Sequence, residues 1–317
     1  MTGYVEILTD PSYRGQIMVF SSPTIANYPW IQEAMESGTI QVSGAITRDS
    51  HSLLSGGSSL DSVLSEYQIP GIDLVDTRTL ILKIRERGVM KGFISDSDEV
   101  PDEFPDPMLR DLVSEVAGNQ IMTLESGKDL ECLVLDTGAK KSLMRRLSTV
   151  ANLTIVPFDK FPHSRLNEFD FVFLPNGPGD PSHESLQALR GSISDILGTK
   201  PVIGVCLGHQ IISLAAGCST YKMKYGHRGG NHSVTDGTKT WMTAHNHGYA
   251  VSRDSMRGTI MQEKQWDIND STVEMIGNPD MGILTTQYHP EGAPGPHDMD
   301  GFFDTIGTLV RNFNASR

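Results

Sequence analysis

Apolar and polar positions follow two regimes along this chain, and the change falls near its middle. From residue 131 onward, short and fully apolar runs alternate with stretches whose apolar residues recur three and four apart. CLVLD at 132–136, LTIVPF at 153–158, FVFLPN at 171–176 and PVIGVC at 201–206 are predicted strands. KKSLMRRLSTVA, ESLQALRGSISDILG, HQIISLAAG and, near the end, DGFFDTIGTLVRNF are predicted helices. Strands apolar on both faces and joined by helices predict an α/β fold with a doubly wound, mostly parallel sheet. Ligand sites of such sheets lie where loops leave the C-terminal strand ends. After residue 218 the pattern turns to strands and loops. Residues 1–95 carry mixed short strands and one helix at TRTLILKIRERG, which predicts a smaller α+β N-terminal domain. Between them, DSDEVPDEFPD at 96–106 is acidic with two prolines, MLRDLVSEVAG could form one amphipathic helix, and SGKDL at 126–130 is polar. These breaks put the boundary near residue 129, with domains of 1–129 and 130–317.

Charge and composition narrow the function. The chain has 317 residues, 39 acidic against 26 basic, for a formal net charge of −13. Such a surface repels phosphate backbones and anionic lipid, so no nucleic-acid or membrane partner is expected. No apolar run approaches the ~18–20 residues of a membrane span, and the opening stretch lacks the basic-then-apolar pattern of a secretory signal. The three cysteines, Cys132, Cys206 and Cys218, are odd in number and lack metal-ligand spacing. They suit a reducing cytosol, and a cytoplasmic location is expected. Neither a phosphate-binding GxxxxGK[ST] loop nor a dinucleotide fingerprint occurs, so no nucleotide cofactor is expected on this chain.

Candidate chemistry concentrates at Gly204-Val205-Cys206-Leu207-Gly208-His209-Gln210, which closes the fourth predicted strand and opens a helix. Small residues two before and two after a nucleophile are what a tight strand-to-helix elbow requires. The helix N-terminus then favours a thiolate, and an oxyanion beside it. A lone cysteine in a strand is more commonly just buried; the flanking glycines and the junction favour a nucleophile. Such a thiol needs a base, and the base an orienting group. Tyr288-His289-Pro290-Glu291 supplies both, because residues two apart in an extended segment share a side. The run 176–181 (NGPGDP) is either an oxyanion-hole loop or simply a turn rich in breakers. The close pairs His227/His232 and His245/His247 raise the question of zinc, yet no Cys or acidic partner stands at ligand spacing. No metal site is expected there, and roles in loops or ligand contact are preferred.

GVCLGHQ, YHPE and NGPGDP together resemble the class I (triad) glutamine amidotransferases. The similarity is finer to the small subunits of carbamoyl-phosphate synthetases and runs along nearly the whole chain, through MTGYVEILTDPSY (1–13), DLVDTRTL (73–80), VLDTGAKKSLMRRL (134–147), KMKYGHRGGNH (222–232), HNHGYAV (245–251) and YHPEGAPGPHD (288–298). The resemblance implies Cys206 as thiol nucleophile, His289 as general base and acid, and Glu291 as the group orienting that imidazole. It implies that Leu207 and Gly177 supply oxyanion-hole N–H groups, and that Ser12, Gly179, Gln210, Asn246, Gly248 and Tyr249 hold glutamine. It further implies a ligase component: glutamine is hydrolysed through a thioester, and ammonia passes to a large subunit. That partner would use bicarbonate and two ATP, with Mg, to make carbamoyl phosphate for arginine and pyrimidine synthesis. A heterodimer, which could assemble further, is the implied working state. The family carries a further β-rich segment before MTGY, so the N-terminal domain is expected to lack its first strands, and it often has Gln where this chain has His245. The alternatives are a stand-alone thiol amidohydrolase and a non-catalytic docking subunit.

Overall fold

A computed structural model describes residues 3–50, 58–97 and 99–317. The chain divides into two compact units, Met1–Leu112 and Val113–Arg317. The division lies ahead of the expected residue 129 for two reasons. Val113 is buried in the core of the second unit, and the strand Met122–Leu124 pairs antiparallel with Leu153–Ile155. The stretch expected as one helix, MLRDLVSEVAG, is broken: a 3-10 turn at Pro107–Leu109 precedes a short helix at Leu112–Val116.

The first unit holds α1 (Tyr4–Thr9), β1 (Ile17–Val19), β2 (Gly44–Ile46), α2 (Leu60–Glu66), β3 (Gly71–Ile72) and α3 (Thr77–Arg87), followed by α4 (Leu112–Val116) at the division. Its three short strands are parallel in the order β1-β2-β3. Tyr4, Val5 and Leu8 of α1 and Leu60, Val63 and Leu64 of α2 form its core with Phe20, Ile25 and Met35. The helix expected at TRTLILKIRERG is α3, whose first turn is capped by Asp76 on Thr79 N at 3.1 Å.

In the second unit come β4 (Met122–Leu124), β5 (Glu131–Asp136), α5 (Lys141–Leu147), β6 (Asn152–Pro157), β7 (Phe171–Leu174), α6 (Gln187–Ile196), β8 (Val202–Val205) and α7 (Leu207–Ala215). They are followed by β9 (Thr220–Thr235), β10 (Thr240–Val251), β11 (Glu263–Asp267), β12 (Val273–Asn278), β13 (Ile283–Thr286) and α8 (Phe302–Ala315). All ten strands form one sheet, ordered β10-β9-β11-β12-β13-β8-β7-β5-β6-β4. The block β6-β5-β7-β8-β13 is parallel: four of its strands are those expected from their apolar runs, β13 joins them from the chain after 218, and the strands on either side of the block pair antiparallel. Alternation along each strand feeds two cores. Leu133, Leu135, Val172, Leu174 and Val202 face one side with Leu189 and Ile193 of α6 and Ile211 and Ile212 of α7. Cys132, Val134, Phe171, Phe173, Ile203 and Val205 face the other with Leu143 and Leu147 of α5 and Ile306 and Val310 of α8. Each such side chain contributes about 1.5–3 kcal/mol on burial, which fixes the strand ends from which the functional loops leave.

Candidate active site

Strand β8 runs straight into α7 with Cys206 between them. Its backbone stands at φ 55°, ψ −104°, a conformation that costs a non-glycine residue about 1–3 kcal/mol and marks functional strain. The two expected small residues have concrete reasons. A Cβ on Gly204 would lie 2.7 Å from the carbonyl carbon of Gly208, and one on Gly208 would lie 2.7 Å from Leu174 Cβ and run into the Leu174 carbonyl. The strand–helix crossing is therefore too close for a side chain at either place. The Cys206 thiol is buried and points to the Asn246 carbonyl at 3.6 Å. Burial pushes the Cys132 thiol well above its ordinary value and raises that of Cys218, leaving both without the setting of a reactive thiolate.

The base side of the site is carried by the chain after β13. His289 Nδ1 meets Glu291 Oε1 at 2.8 Å, both side chains almost wholly buried. The backbone N–H of His289 donates to the Ala244 carbonyl at 2.8 Å, which ties this turn to β10. Burial disfavours a charged imidazole, but the Glu291 carboxylate outweighs it, aided by the proximity of Cys206, and the His289 pKa rises to about 10. For Glu291, burial is likewise overcome: Lys140 first, then His289, hold the carboxyl well below the usual carboxylate range. Lys140 carries no role in the sequence reading. It sits at the mouth of β5 before α5, nearly inaccessible, and its Nζ lies 2.9 Å from Glu291 Oε1 and also donates to the Ala293 carbonyl. The sequence shows only two adjacent lysines, Lys140 and Lys141, and nothing in it marks the first as the buried one or names a partner 151 residues away.

The loop 176–181 comes to the same corner. A Cβ on Gly177 would lie 2.7 Å from Leu207 Cδ2 and would meet the Thr137 carbonyl. The Asn176 side chain fixes this loop against the next: its Oδ1 accepts from Lys140 N at 3.0 Å and its Nδ2 donates to the Gly138 carbonyl at 2.9 Å. Gly179 has φ 91°, where a side chain would be strained. Gln210, one turn into α7, donates to the Tyr249 carbonyl at 2.8 Å and to Gln287 Oε1 at 2.9 Å. Asn246 is buried beside the thiol, and its Nδ2 has no hydrogen-bond partner among the described residues, leaving a donor available to a ligand. Gly248 and Tyr249 follow on β10, where the Tyr249 carbonyl accepts from Gln210. Ser12 lies in the N-terminal unit, buried in a 3-10 turn in which Asp10 Oδ1 accepts its N–H at 2.8 Å.

Two family descriptions match the chain: glutamine amidotransferase class-I over residues 133–308, and the carbamoyl-phosphate synthase small chain, CPSase domain, over residues 1–94. A carbamoyl phosphate synthase small chain from Thermoplasma acidophilum is 45% identical over 310 residues, covering 96% of this chain and 88% of that protein. The chain belongs to the carbamoyl-phosphate synthase small chain family. Relatives with the same description from Archaeoglobus fulgidus (39% identical, covering 99% of this chain and 90% of that one) and Staphylococcus epidermidis (38%, 99% and 88%) extend the match to both ends of the sequence. A crystal structure of a protein from Thermoplasma acidophilum, described as belonging to a GMP synthase, superposes with TM-score 0.50 at 22% identity, over 59% of this chain and 96% of that one. At that identity the likeness concerns the fold. The amidotransferase match lies within the second unit, and the small-chain match lies within the first.

Proposed function

We propose that this chain is the glutamine-hydrolysing component of a carbamoyl-phosphate synthase, with Cys206 as its nucleophile. The Cys206 thiolate attacks the side-chain amide carbon of glutamine, and the negative charge moves to the amide oxygen. N–H groups of Leu207, at the first position of α7, and of Gly177 stabilise that oxyanion. His289 gives its proton to the departing nitrogen, ammonia leaves, and a glutamyl thioester remains on Cys206. His289 then takes a proton from water, which attacks the thioester and releases glutamate and the thiolate. Glu291 keeps the imidazolium favourable and its ring oriented. Gln210, Asn246, Gly248, Tyr249, Gly179 and Ser12 are assigned to glutamine binding.

The observation that carries this reading is the strained backbone of Cys206 at the head of α7, in the same buried corner as a carboxylate-held imidazole. Ammonia is delivered to a large chain that holds ATP and Mg and makes carbamoyl phosphate from bicarbonate, for arginine and pyrimidine synthesis. The small chain itself needs no cofactor for the amidase step and works in the cytoplasm; among the described residues, no helix is long and apolar enough to cross a membrane. The test is Cys206→Ala in the reconstituted two-chain enzyme, assayed with glutamine and with free ammonia. Glutamine-dependent synthesis should vanish while ammonia-dependent synthesis persists. Retained use of glutamine would refute the nucleophile, and equal loss with both donors would mean that the substitution disturbs folding of the chain rather than its amidase step.

A further inference from the structure

The antiparallel arm of the second unit gathers four buried groups that the amidase chemistry leaves aside. His227 comes from β9, His245 and His247 from β10, and Glu274 from β12. His247 pairs directly with His227 in the β10–β9 register, and His245, two residues earlier, shares that face of the sheet. One ligand atom from each residue falls within 4.8 Å of all the others. His245 Nδ1 and His247 Nε2 are 3.2 Å apart, and His227 Nδ1 lies 3.4 Å from Glu274 Oε1. His245 Nδ1 is 3.6 Å from Glu274 Oε2, and His247 Nε2 is 3.9 Å from Oε1. A tetrahedral zinc ion held at about 2.0–2.2 Å by nitrogen and carboxylate oxygen separates its ligands by about 3.3–3.6 Å. From this arrangement we infer that His227, His245, His247 and Glu274 form a closed, structural binding site for a divalent transition metal of the zinc class.

Two further observations fit a cation at the centre. The first is that each imidazole has its outward nitrogen engaged. His227 Nε2 meets Asp270 Oδ2 at 2.9 Å, His247 Nδ1 meets the Tyr249 carbonyl at 2.9 Å, and His245 Nε2 meets Thr243 Oγ1 at 2.7 Å. Such outer partners orient metal-bound histidines and select the tautomer that turns a lone pair inward. The Tyr249 carbonyl can only accept, so His247 donates from Nδ1 and its Nε2 lone pair faces the centre. Thr243 sends its single hydroxyl hydrogen to the His232 carbonyl at 3.1 Å, so it accepts from His245 Nε2 and the Nδ1 lone pair also faces the centre. Two lone pairs 3.2 Å apart repel unless a positive charge lies between them.

The second observation is Glu274 itself. Its side chain is fully buried, and among the described residues neither carboxylate oxygen has a hydrogen-bond partner, nor has His227 Nδ1. A buried carboxyl whose nearest imidazole nitrogen stands off at 3.4 Å is poorly satisfied by protein groups, and a divalent cation would satisfy it. The four residues close the coordination sphere, so the ion braces β9, β10 and β12 rather than presenting an open position for water. Ala244, which bonds the His289 backbone, and Asn246, whose carbonyl faces the thiol, flank His245 on β10. The sequence expectation of no acidic partner failed to reach Glu274 because it lies far past His247, across β11, where no ligand spacing relates them.

The test uses the full chain, purified from cells grown with added zinc, and reads metal content by elemental mass spectrometry. One zinc per chain should survive dialysis, and His245→Gln and Glu274→Gln should each lose it. Asp270→Asn, which removes only the outer partner of His227, should weaken zinc binding about 10–100-fold. Chelator-treated wild type should show the visible bands of tetrahedral cobalt on titration with Co²⁺, and a higher Tm on titration with Zn²⁺. A variant that fails to fold leaves the wild-type zinc content and cobalt spectrum to decide. Wild type with no zinc above the level of Glu274→Gln and no tetrahedral cobalt bands would overturn the site. So would a folded His245→Gln chain that keeps a full equivalent of zinc, because the ion would then sit elsewhere.

Discussion

Two carboxylates lie buried among imidazoles in the C-terminal unit, and they differ in what faces them. Glu291 turns one oxygen to the Lys140 ammonium at 2.9 Å and to His289 at 2.8 Å. Glu274 has three imidazoles around it and no lysine or arginine side chain in ion-pair contact among the described residues. The first cluster is satisfied by the chain's own cation, so it holds its charge in a dry corner and can pass a proton. The second is incomplete as a set of protein groups, and this is why its geometry calls for an ion from outside. Burial alone therefore does not separate these two carboxylates; the side chains that face them do.

The largest expected effect falls on the imidazole of the first cluster. His289→Asn removes the group proposed to move protons in both half-reactions and should lower glutamine turnover about 10²–10⁴-fold. Glu291→Gln should cost less turnover, yet it strands the Lys140 ammonium, and removing one partner of a buried pair destabilises by about 3–5 kcal/mol. Steady-state glutaminase rates and thermal melts of both chains check this crossing of effects. Should Glu291→Gln prove the slower enzyme, the orienting and proton-carrying roles are exchanged. Neither change should alter zinc content, whereas Glu274→Gln should empty the metal site while Cys206 keeps its elbow.

A smaller effect is expected from Lys140→Met, and its sign follows from the shifts. Because the folded Glu291 carboxyl is held below the ordinary value of about 4.3, its contribution to stability is complete above that value. It is lost only as pH falls through the depressed one. His289 runs the other way: its contribution is complete below about 6.5 and is lost as pH rises through about 10. Without Lys140 both pKa values rise, so acid loss of stability should begin at higher pH and the alkaline limb should move further up. Melting curves across pH for wild type and variant measure both limbs. Coincident acid limbs would mean that the ammonium at 2.9 Å does not set the charge of Glu291.

What the sequence made legible was local. The four apolar strands, their helices and the small residues around Cys206 are written within windows of a few residues, and steric contact at Gly204 and Gly208 explains the elbow. His289 and Glu291 were also legible, being two apart on an extended segment. Lys140 and Glu274 were not, because each meets its partners across the sheet, with no periodicity to mark the meeting. The boundary near 129 followed polarity, yet Met122–Leu124 joins the large sheet through backbone pairing with β6, which composition does not record. Strands β9 to β12 likewise extend the parallel sheet as an antiparallel arm, and the four ligating side chains come together only there.

The central claim, that Cys206 carries the glutamyl group, is tested most directly by trapping it. The two-chain enzyme is mixed with isotopically labelled glutamine, quenched in acid within one turnover, and digested for peptide mass mapping. The account predicts a labelled glutamyl thioester on the peptide containing Cys206, absent from Cys206→Ala. Glutamine hydrolysis by Cys206→Ala at the wild-type rate, or label on Cys132 or Cys218 instead, would contradict it.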